Sequence, residues 1–336
     1  MKFGDWYEKN YKKLLVIPGV ILVLSISYIL LFYYQTGDVI RKDVSLTGGT
    51  SISILTEKSI DELNSLIRRE ISDFSTKSIT DNSGRQIEIV VVTKEENTEK
   101  LKNILEKFLG EPLSQENSSI ESTSASLSAD FYRQLIIAII LAFYWMSAVV
   151  FTIFAKGKWL KFKVILINIL FGFFLGSFFF SINPIVSGLI FLGFTFFLFR
   201  IYLKNSVPSF AVILSAFADM VMTLAVVDLI GVKVSTAGIV AFLMLIGYSV
   251  DTDILLTTRL LGKKESSNKA LYAAFKTGTT MTVSSLVAVA AALVAVYSFS
   301  SVLNQIFSIL LIGLSFDLLN TWITNASIIK WYVDTR

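Results

Sequence analysis

Long apolar runs dominate the sequence, and each is a candidate membrane span. A helix needs roughly 20 apolar residues to cross about 30 Å of hydrocarbon. Eight runs reach this length, near residues 14–34, 134–155, 163–182, 184–203, 208–230, 236–258, 279–299 and 303–324. Only Asn183 and Pro184 divide the pair at 163–203, so this pair is either a tight hairpin of two spans or a re-entrant element. An even number of spans places both ends of the chain on the same side.

The polar segment between the first two runs has the periodicity of a small α+β domain. Apolar residues on one helical face predict helices, and apolar–polar alternation predicts strands. The pattern gives a strand at 50–56, a helix at 59–73, strands at 76–81 and 86–93, a helix at 95–109 and a last strand at 117–127. Asn82, Ser83, Gly84 and Arg85 form a turn signal. This βαββαβ order predicts a ferredoxin-like domain, a plan that serves many unrelated functions.

Composition supports a membrane protein and excludes several kinds of chemistry. Apolar residues make up 54% of the 336, and the mean hydropathy is +0.66. The absence of Cys and His excludes disulfides, thiolate and imidazole metal sites, and Cys or His nucleophiles. The sequence also lacks the G-x-x-x-x-G-K-[ST] phosphate loop, so nucleotide is not expected as a direct fuel. We expect a non-enzymatic protein without cofactor or metal.

Charge is distributed unequally along the chain, which predicts its orientation. Residues 38–131 hold 11 Lys+Arg against 17 Asp+Glu, a net −6, whereas the remainder holds 19 against 9, a net +10. Basic residues concentrate on cytoplasmic loops, so this asymmetry reflects topology and not nucleic-acid binding. Cytoplasmic positions are assigned to Lys2, Lys9, Lys12, Lys13, Lys156, Lys158, Lys161, Lys163, Arg200, Lys204, Arg259, Lys263, Lys264, Lys269, Lys276, Lys330 and Arg336.

These observations predict three parts in a multi-pass protein of the cytoplasmic membrane. Residues 1–36 comprise the cytoplasmic N-terminus and the first span. Residues 37–131 form the extracytoplasmic domain. Residues 132–336 form a transmembrane helical domain with a cytoplasmic C-terminus, and the helical pair near 163–203 belongs to this third part.

Four carboxylates inside predicted spans are the main candidates for function: Asp219, Asp251, Asp253 and Asp317. An intramembrane acid is energetically expensive, so each is a candidate for proton coupling. At 1.5 Å per residue, all four lie roughly 8 to 15 Å from the cytoplasmic ends of their helices. Asp228 lies near the outer end of its helix, and we expect it to be hydrated. The alternative for the four is that they are neutral and only hydrogen-bond neighbouring helices.

The spacing of Asp251 and Asp253 predicts that they point to opposite faces of one helix. Residues two apart are separated by about 200°. Asp251 shares its stripe with Gly247, and Asp253 shares its stripe with Ser249. We favour Asp251 as the functional acid, because Gly247 leaves room for water or a neighbouring helix.

Two further motifs support this region or the outward domain. The seventh span opens with hydroxyl residues, among them Thr277, Thr280 and Thr282. They either pack closely against other helices or hold water beside the carboxylates. Gly48 and Gly49 precede the first strand, where paired glycines suit a bulge or a close backbone approach.

Several segments resemble one family of membrane proteins. The stretches LTGGT (46–50), VPSFAVILSAFADMVMTLAV (207–226), FLMLIGYSVDTDILLTTRLL (242–261), KTGTTMTVSS (276–285) and FDLLNTWITNASIIKWY (316–332) are similar to the archaeal-type SecF family. The resemblance implies membership of the resistance-nodulation-division superfamily and pairing with a SecD-like subunit. It also implies that the chain, embedded in membrane lipid, assists the SecYE translocon in exporting polypeptide chains, coupled to the proton gradient.

The chain departs from bacterial members of that family in three ways. Their acid position in G-Y-S-x-N-D falls on Thr252, and Asp251 and Asp253 flank it. The Arg that they carry near the start of the following helix has no counterpart in residues 277–299, where Lys276 is the nearest base. A usual SecF has six spans, so the pair at 163–203 is additional.

Other functions fit the sequence less well. A half-size small-molecule exporter of the same superfamily needs larger outward domains to build a substrate tunnel. An intramembrane aspartyl protease needs Tyr-Asp and Gly-x-Gly-Asp pairs that share a proton, and neither occurs here. A passive scaffold for SecD differs from the transport subunit only in whether the acids titrate.

Overall fold

The fold is that of a computed structural model, which describes residues 3–72, 74–80, 84–262, 267–296 and 301–335. It begins with helix α1 (Phe3–Leu14) and helix α2 (Val16–Thr36). These two helices are nearly continuous, and together they supply the first candidate span, Tyr7–Thr36. Helix α2 ends at Gly37, whose φ of 77° is the left-handed conformation that favours glycine at a helix C-terminus.

A four-stranded sheet with two helices on one face follows. Its elements are the short helix α3 (Val44–Thr47), β1 (Gly49–Leu55), α4 (Ile60–Ile67), β2 (Phe74–Thr80), β3 (Gln86–Thr93), α5 (Thr98–Leu109) and β4 (Ser118–Thr123). The strand order is β2-β3-β1-β4 and all pairs are antiparallel. We call residues 49–123 the sheet region.

The core of the sheet region lies between the sheet and helices α4 and α5. Ile52 and Val91 are partners on neighbouring strands, and both are fully buried. Leu63 of α4 and Leu105 of α5 cover them. The amphipathic patterns that predicted these helices therefore correspond to the faces that bury the sheet.

Boundaries in the sheet region differ from the prediction by up to six residues, most at the ends of the last strand and of α4. The last strand ends at Thr123 and not at 127, because Ser124 caps the next helix by accepting a hydrogen bond from the Leu127 N–H. Helix α4 ends at Ile67, several residues before the predicted end at 73. Residues 82 and 83 of the predicted turn lie outside the described residues, whereas Gly84 has the positive φ of 82° that this turn signal implies.

The remaining helices are α6 (Ala125–Phe154), α7 (Lys158–Ser177), α8 (Pro184–Asn205), α9 (Val207–Leu229), α10 (Thr236–Leu261), α11 (Ser267–Val296), α12 (Ser301–Leu319) and α13 (Ala326–Asp334). Eight stretches within the described residues are long and apolar enough to cross a membrane, which confirms the predicted number. Helices α7 and α8 are separate and contain 20 and 22 residues, so each has the length of a full span.

Helices α9 and α10 form the centre of the helical part. Each has 56% of its most apolar 18-residue stretch buried, a larger share than in any other candidate span of the described residues. Both pack against α12, and α11 packs against α10 and α12. Helices α7 and α8 lie to one side, where Phe171 stacks on Phe194 at a centroid distance of 3.6 Å.

The segment after α2 is bonded to the connection between α9 and α10. The Val234 N–H donates to the Arg41 carbonyl at 2.6 Å, and the Asp43 N–H donates to the Val234 carbonyl at 2.9 Å. Asp228 is fully buried here and accepts a hydrogen bond of 2.8 Å from the Arg41 N–H. The prediction that Asp228 is hydrated is therefore wrong: Asp228 fixes this segment to the C-terminal end of α9.

Candidate functional site

Asp219 of α9 is the best-satisfied acid of the helical core. Its side chain is fully buried. Ser249 of α10 donates its hydroxyl to Oδ2 at 2.5 Å, and the Asn320 amide donates to Oδ1 at 2.7 Å. The Asp219 carboxylate thus joins α9 to α10 and to the segment that follows α12.

Asp253 of α10 is also fully buried, but only one of its oxygens is satisfied. The amide of Asn325 donates to Oδ1 at 2.9 Å and to the Asp253 carbonyl at 3.2 Å. Within the described residues, Oδ2 has no hydrogen-bond partner, and the same holds for the buried hydroxyl of Ser215 on α9. A buried acceptor without a donor is unusual, so this oxygen is a suitable place for an added proton.

Asp317 of α12 contributes the third buried carboxylate, with 1% of its surface exposed. Thr321 donates to Oδ1 at 3.2 Å, and Thr282 of α11 donates to Oδ2 at the long distance of 3.5 Å. The donors to the three acids, Thr321, Asn320 and Asn325, all lie within residues 320–325. Three of the four predicted acids therefore form one carboxylate cluster.

The amide donors of the cluster come from a π-helical segment, Asn320–Asn325, between α12 and α13. A π-helix has five-residue backbone hydrogen bonds, is rare, and often marks a functional position. Here it brings both Asn320 and Asn325 into the core, toward Asp219 and Asp253. Neither amide belongs to the residues predicted from the sequence. The available signal was a pair of Asn residues inside an otherwise apolar span.

The carboxylate cluster is held by neutral donors. Its hydrogen bonds come from hydroxyl and amide groups, as described above. The buried cation among the described residues is Lys330 of α13, which bonds to Asn268 at 2.8 Å and to Asp334 at 3.0 Å instead. In the part of the chain that the structure describes, no group of three His, Cys, Asp or Glu side chains is arranged to hold a metal.

Asp251 and Gly247 lie on the exposed face of α10, away from the carboxylate cluster. A methyl group added at Gly247 would meet nothing within 4 Å. Asp251 therefore lies outside the carboxylate cluster, and its role as the functional acid stays a prediction. The stripe that contains Ser249 faces the core, and Asp253 belongs to that stripe.

The predicted hydroxyl residues of α11 are divided between two environments. Thr282 is buried and reaches Asp317. Thr280 is exposed, with its hydroxyl on the Lys276 carbonyl, and Thr277 accepts a hydrogen bond of 3.0 Å from Arg259. These three residues therefore form no continuous path of hydroxyls along α11.

Close packing of α11 on the π segment depends on Gly278. A Cβ atom there would lie 2.7 Å from Cζ2 of Trp322 and 3.3 Å from Cγ2 of Thr252. Of the other predicted glycines, Gly48 precedes β1 and Gly49 begins it, with φ values of 81° and 153°. These conformations favour glycine, so the pair allows the backbone to turn at the start of the sheet region.

The fold and this cluster define a class: a multi-pass membrane protein whose central helices bury several carboxylates among neutral donors. The family profile described as Protein export membrane protein SecD/SecF, C-terminal, matches residues 175–335. The SecF protein-export membrane protein of Methanocaldococcus jannaschii is 31% identical over 330 residues, which cover 97% of this chain and 96% of the relative. That of Pyrococcus furiosus is 28% identical over 332 residues, covering 98% and 93%.

The chain therefore belongs to the SecF family of protein-export membrane proteins, which confirms the resemblance found in the sequence. A solved structure, SecDF of Thermus thermophilus, shares the fold with a TM-score of 0.56 at 14% sequence identity. The match covers 100% of this chain but only 39% of the SecDF chain. The chain thus spans about two fifths of the length of that protein.

Proposed function

We propose that this chain works with a SecD-like subunit to assist the SecYE translocon in exporting polypeptides, and that Asp253 and Asp219 carry a proton step. Membership of the SecF family supports the export role. The observation that carries the proton step is the Asp253 carboxylate, fully buried with one oxygen unpaired within the described residues. Buried charge is costly without a counter-ion, and a proton removes that cost.

The arrangement supports a switch between two states of the cluster. Asp219 on α9 and Asp253 on α10 are both fully buried, and the two helices pack against each other. Ionisation of one acid opposes ionisation of the other, since like charges at short range repel. A change of protonation would then change how strongly Asn320 and Asn325 bind the two carboxylates. Because those amides belong to the π segment, the change would act on the last helix.

Asp251 supports the proposal of a partner subunit. Its side chain lies on the exposed face of α10, within a span. A charged side chain facing lipid near the centre of a bilayer costs about 2.5–3.5 kcal/mol on insertion scales. Thr280 and Ser284 of the neighbouring helix α11 are also exposed. We infer that this polar face, Asp251 with Thr280 and Ser284, contacts the SecD-like subunit.

We further propose that the sheet region is a ferredoxin-like domain on the outer side of the membrane. Its antiparallel order β2-β3-β1-β4, with α4 and α5 on one face, supports the fold assignment. The net charge of −6 over residues 38–131 supports the outer location. The connection between Arg41 and Asp228 would transmit movements of α9 to this domain.

Substitution of the acids tests the proton step. Asp→Asn keeps the size of the side chain and removes titration. Expressed in place of the chromosomal copy, Asp253→Asn and Asp219→Asn should reduce export of a slowly translocated protein to the level of cells without this chain. Membrane abundance and co-purification of the SecD-like subunit should persist in both variants.

The matched control is Asp251→Asn, which changes the same helix two residues away. We expect normal export, or a defect accompanied by weaker SecD co-purification, because Asp251 lies on the proposed partner face. Normal export in Asp219→Asn, Asp253→Asn and the double variant would favour a passive scaffold in which the acids only bond helices together.

A further inference from the structure

The N-terminal helix α1 reaches the π segment through one side chain. The Tyr7 hydroxyl donates to the Trp322 carbonyl at 3.1 Å, and it lies 3.2 Å from the Ser327 hydroxyl. Tyr7 and Trp322 are 315 residues apart in the sequence. This long-range contact therefore connects the first helix to the segment that supplies the amide donors.

The bonded carbonyl lies at the register change of the last helix. At the end of the π segment, the Ala326 N–H donates to the Thr321 carbonyl, five residues earlier. The next carbonyl along the chain is that of Trp322, which accepts the Tyr7 hydroxyl. A side-chain donor at such a point stabilises the altered register, because a π-helix shifts each N–H relative to the carbonyl that it reaches in an α-helix.

Trp322 is flanked in the π segment by the two amides of the carboxylate cluster. Asn320 donates to Asp219, and Asn325 donates to Asp253. A return of this segment to α-helical register would rotate the residues that follow by about one position, roughly 100°. The two amides then could not both face the acids.

We propose that Tyr7 is a positioning residue: its hydroxyl holds the π register that presents Asn320 and Asn325 to the buried carboxylates. The inference rests on the proposed function of the cluster and names a residue that regulates it from the other end of the chain. Tyr7 does not touch the acids and acts through the backbone of the last helix.

Contacts next to Tyr7 hold helix α1 against the rest of the helical part. The Tyr11 ring packs beside the Tyr7 ring at a centroid distance of 6.4 Å. The Lys330 ammonium lies 5.5 Å from the centroid of the Tyr11 ring and bonds to Asn268 of α11. Such cation–π contacts are favourable, particularly where water is excluded. They tie α1 to α11 and α13 and fix the position from which the phenol donates.

Infrared spectroscopy of Tyr7→Phe tests this inference directly. The full chain with its SecD-like partner is placed in lipid nanodiscs, and difference spectra are recorded between high and low pH. The carbonyl stretch of a protonated buried carboxyl group should appear in the parent and disappear in Asp253→Asn. In Tyr7→Phe it should move to higher frequency, because the displaced amide no longer donates to the carboxyl group. Export should fall, though less than in Asp253→Asn.

Controls separate positioning from general stability. Tyr28→Phe removes a hydroxyl from a ring that stacks on Phe32 in α2, and it should leave the band and export unchanged. Fluorotyrosine at position 7 keeps the parent fold and is a stronger donor, so it should shift the band the opposite way. The fluorotyrosine measurement tests the positioning role even when Tyr7→Phe accumulates poorly.

The outcomes distinguish this inference from the proposed function. The positioning role alone is overturned if the band is present in the parent and absent in Asp253→Asn, but unmoved by either change at Tyr7. A parent without any such band, together with normal export in the Asp→Asn variants, overturns the proton step itself. A purely structural role for Tyr7 predicts lower thermal stability with the band unmoved.

Discussion

Each buried carboxylate of the cluster depends on one or two identified donors. An unpaired buried polar group loses its hydration without compensation, so donors matter more here than at a surface. Asp219 has a hydroxyl and an amide, whereas Asp253 has the Asn325 amide on one oxygen only. The two acids are therefore unequal, and Asp253 is the more sensitive to loss of its partner.

The first prediction follows from that inequality. Asn325→Leu keeps the branching at Cγ and removes the amide that donates to Oδ1 of Asp253. We expect the free energy of unfolding to fall by about 1–3 kcal/mol, because a buried acceptor is then left unsatisfied. The midpoint of thermal unfolding in detergent measures it. Asn205→Leu, at an exposed position at the end of α8, is the control and should leave the midpoint nearly unchanged.

Combining Asn325→Leu with Asp253→Leu tests whether the unsatisfied carboxylate causes the loss of stability. If the cost comes from the unsatisfied acid, the double variant should be more stable than Asn325→Leu alone, since both polar partners are then absent. A double variant that is less stable by the sum of the two single effects would contradict this explanation.

Residue spacing predicted that Asp251 and Asp253 point in opposite directions, and the structure exposes the first and buries the second. Spacing alone did not decide which of them faces the core. That choice depends on the neighbours of α10, and an open glycine stripe is equally typical of a partner-facing surface. Ser249, which bonds Asp219, was the better indicator of the interior face.

At the scale of elements, the π segment is the feature that periodicity does not reveal. Sequence periodicity assumes a constant register, so it places Asp317 and Thr321 on one face but cannot anticipate a change at Asn320. The extra residue in the helix is stabilised by tertiary contacts, including the Tyr7 bond and the carboxylate partners of the amides. These contacts involve residues far apart in the chain.

The second prediction concerns the packing of α11 against this segment. Gly278→Ala would place a methyl group 2.7 Å from the Trp322 ring, so the ring must shift. Overpacking of this kind lowers the free energy of unfolding by about 1–3 kcal/mol. We expect a lower midpoint of thermal unfolding and weaker export. Gly247→Ala is the matched control: its added methyl group meets nothing within 4 Å, so the isolated chain should remain as stable as the parent.

The third prediction concerns the sheet region, where the sequence predicted every strand and both helices to within a few residues. Local amphipathic patterns sufficed because two helices cover one face of the sheet. Residues 47–124, expressed alone, should unfold cooperatively. Leu105→Ala should destabilise this fragment by about 2–5 kcal/mol, because it removes a fully buried side chain.

The control for that fragment is Leu55→Ala, since Leu55 is 56% exposed on β1 and contributes little to the core. Circular dichroism against urea concentration measures both variants. A fragment with the spectrum of a disordered chain, or equal effects of the two substitutions, would argue against an autonomous domain.

At the scale of the whole molecule, hydropathy predicted all eight candidate spans, because the cost of exposing backbone to lipid leaves few alternatives to full-length helices. The separation of α7 and α8 by residues 178–183 favours the hairpin over a re-entrant element. The assembly of three acids into one cluster was not predictable in detail, since it requires the relative rotations of α9, α10 and α12.

The last prediction is the orientation of the chain in the membrane. The segment with net −6 charge should be outside, and the basic connection between α10 and α11 should be inside, since positively charged loops remain in the cytoplasm. Lys263 and Lys264 of that connection lie outside the described residues, but Lys269 is described and exposed on α11. Ser65 on α4 is likewise exposed and marks the sheet region.

The protein contains no cysteine, so single introduced cysteines report position without background. In intact cells, a membrane-impermeant maleimide should label Ser65→Cys and leave Lys269→Cys unlabelled. After permeabilisation both variants should react, which shows that the second position was protected by the membrane and not by the fold. Labelling of Lys269→Cys with protection of Ser65→Cys in intact cells would invert the topology. The sheet region would then face the cytoplasm, and it could not act on polypeptides that emerge from the translocon.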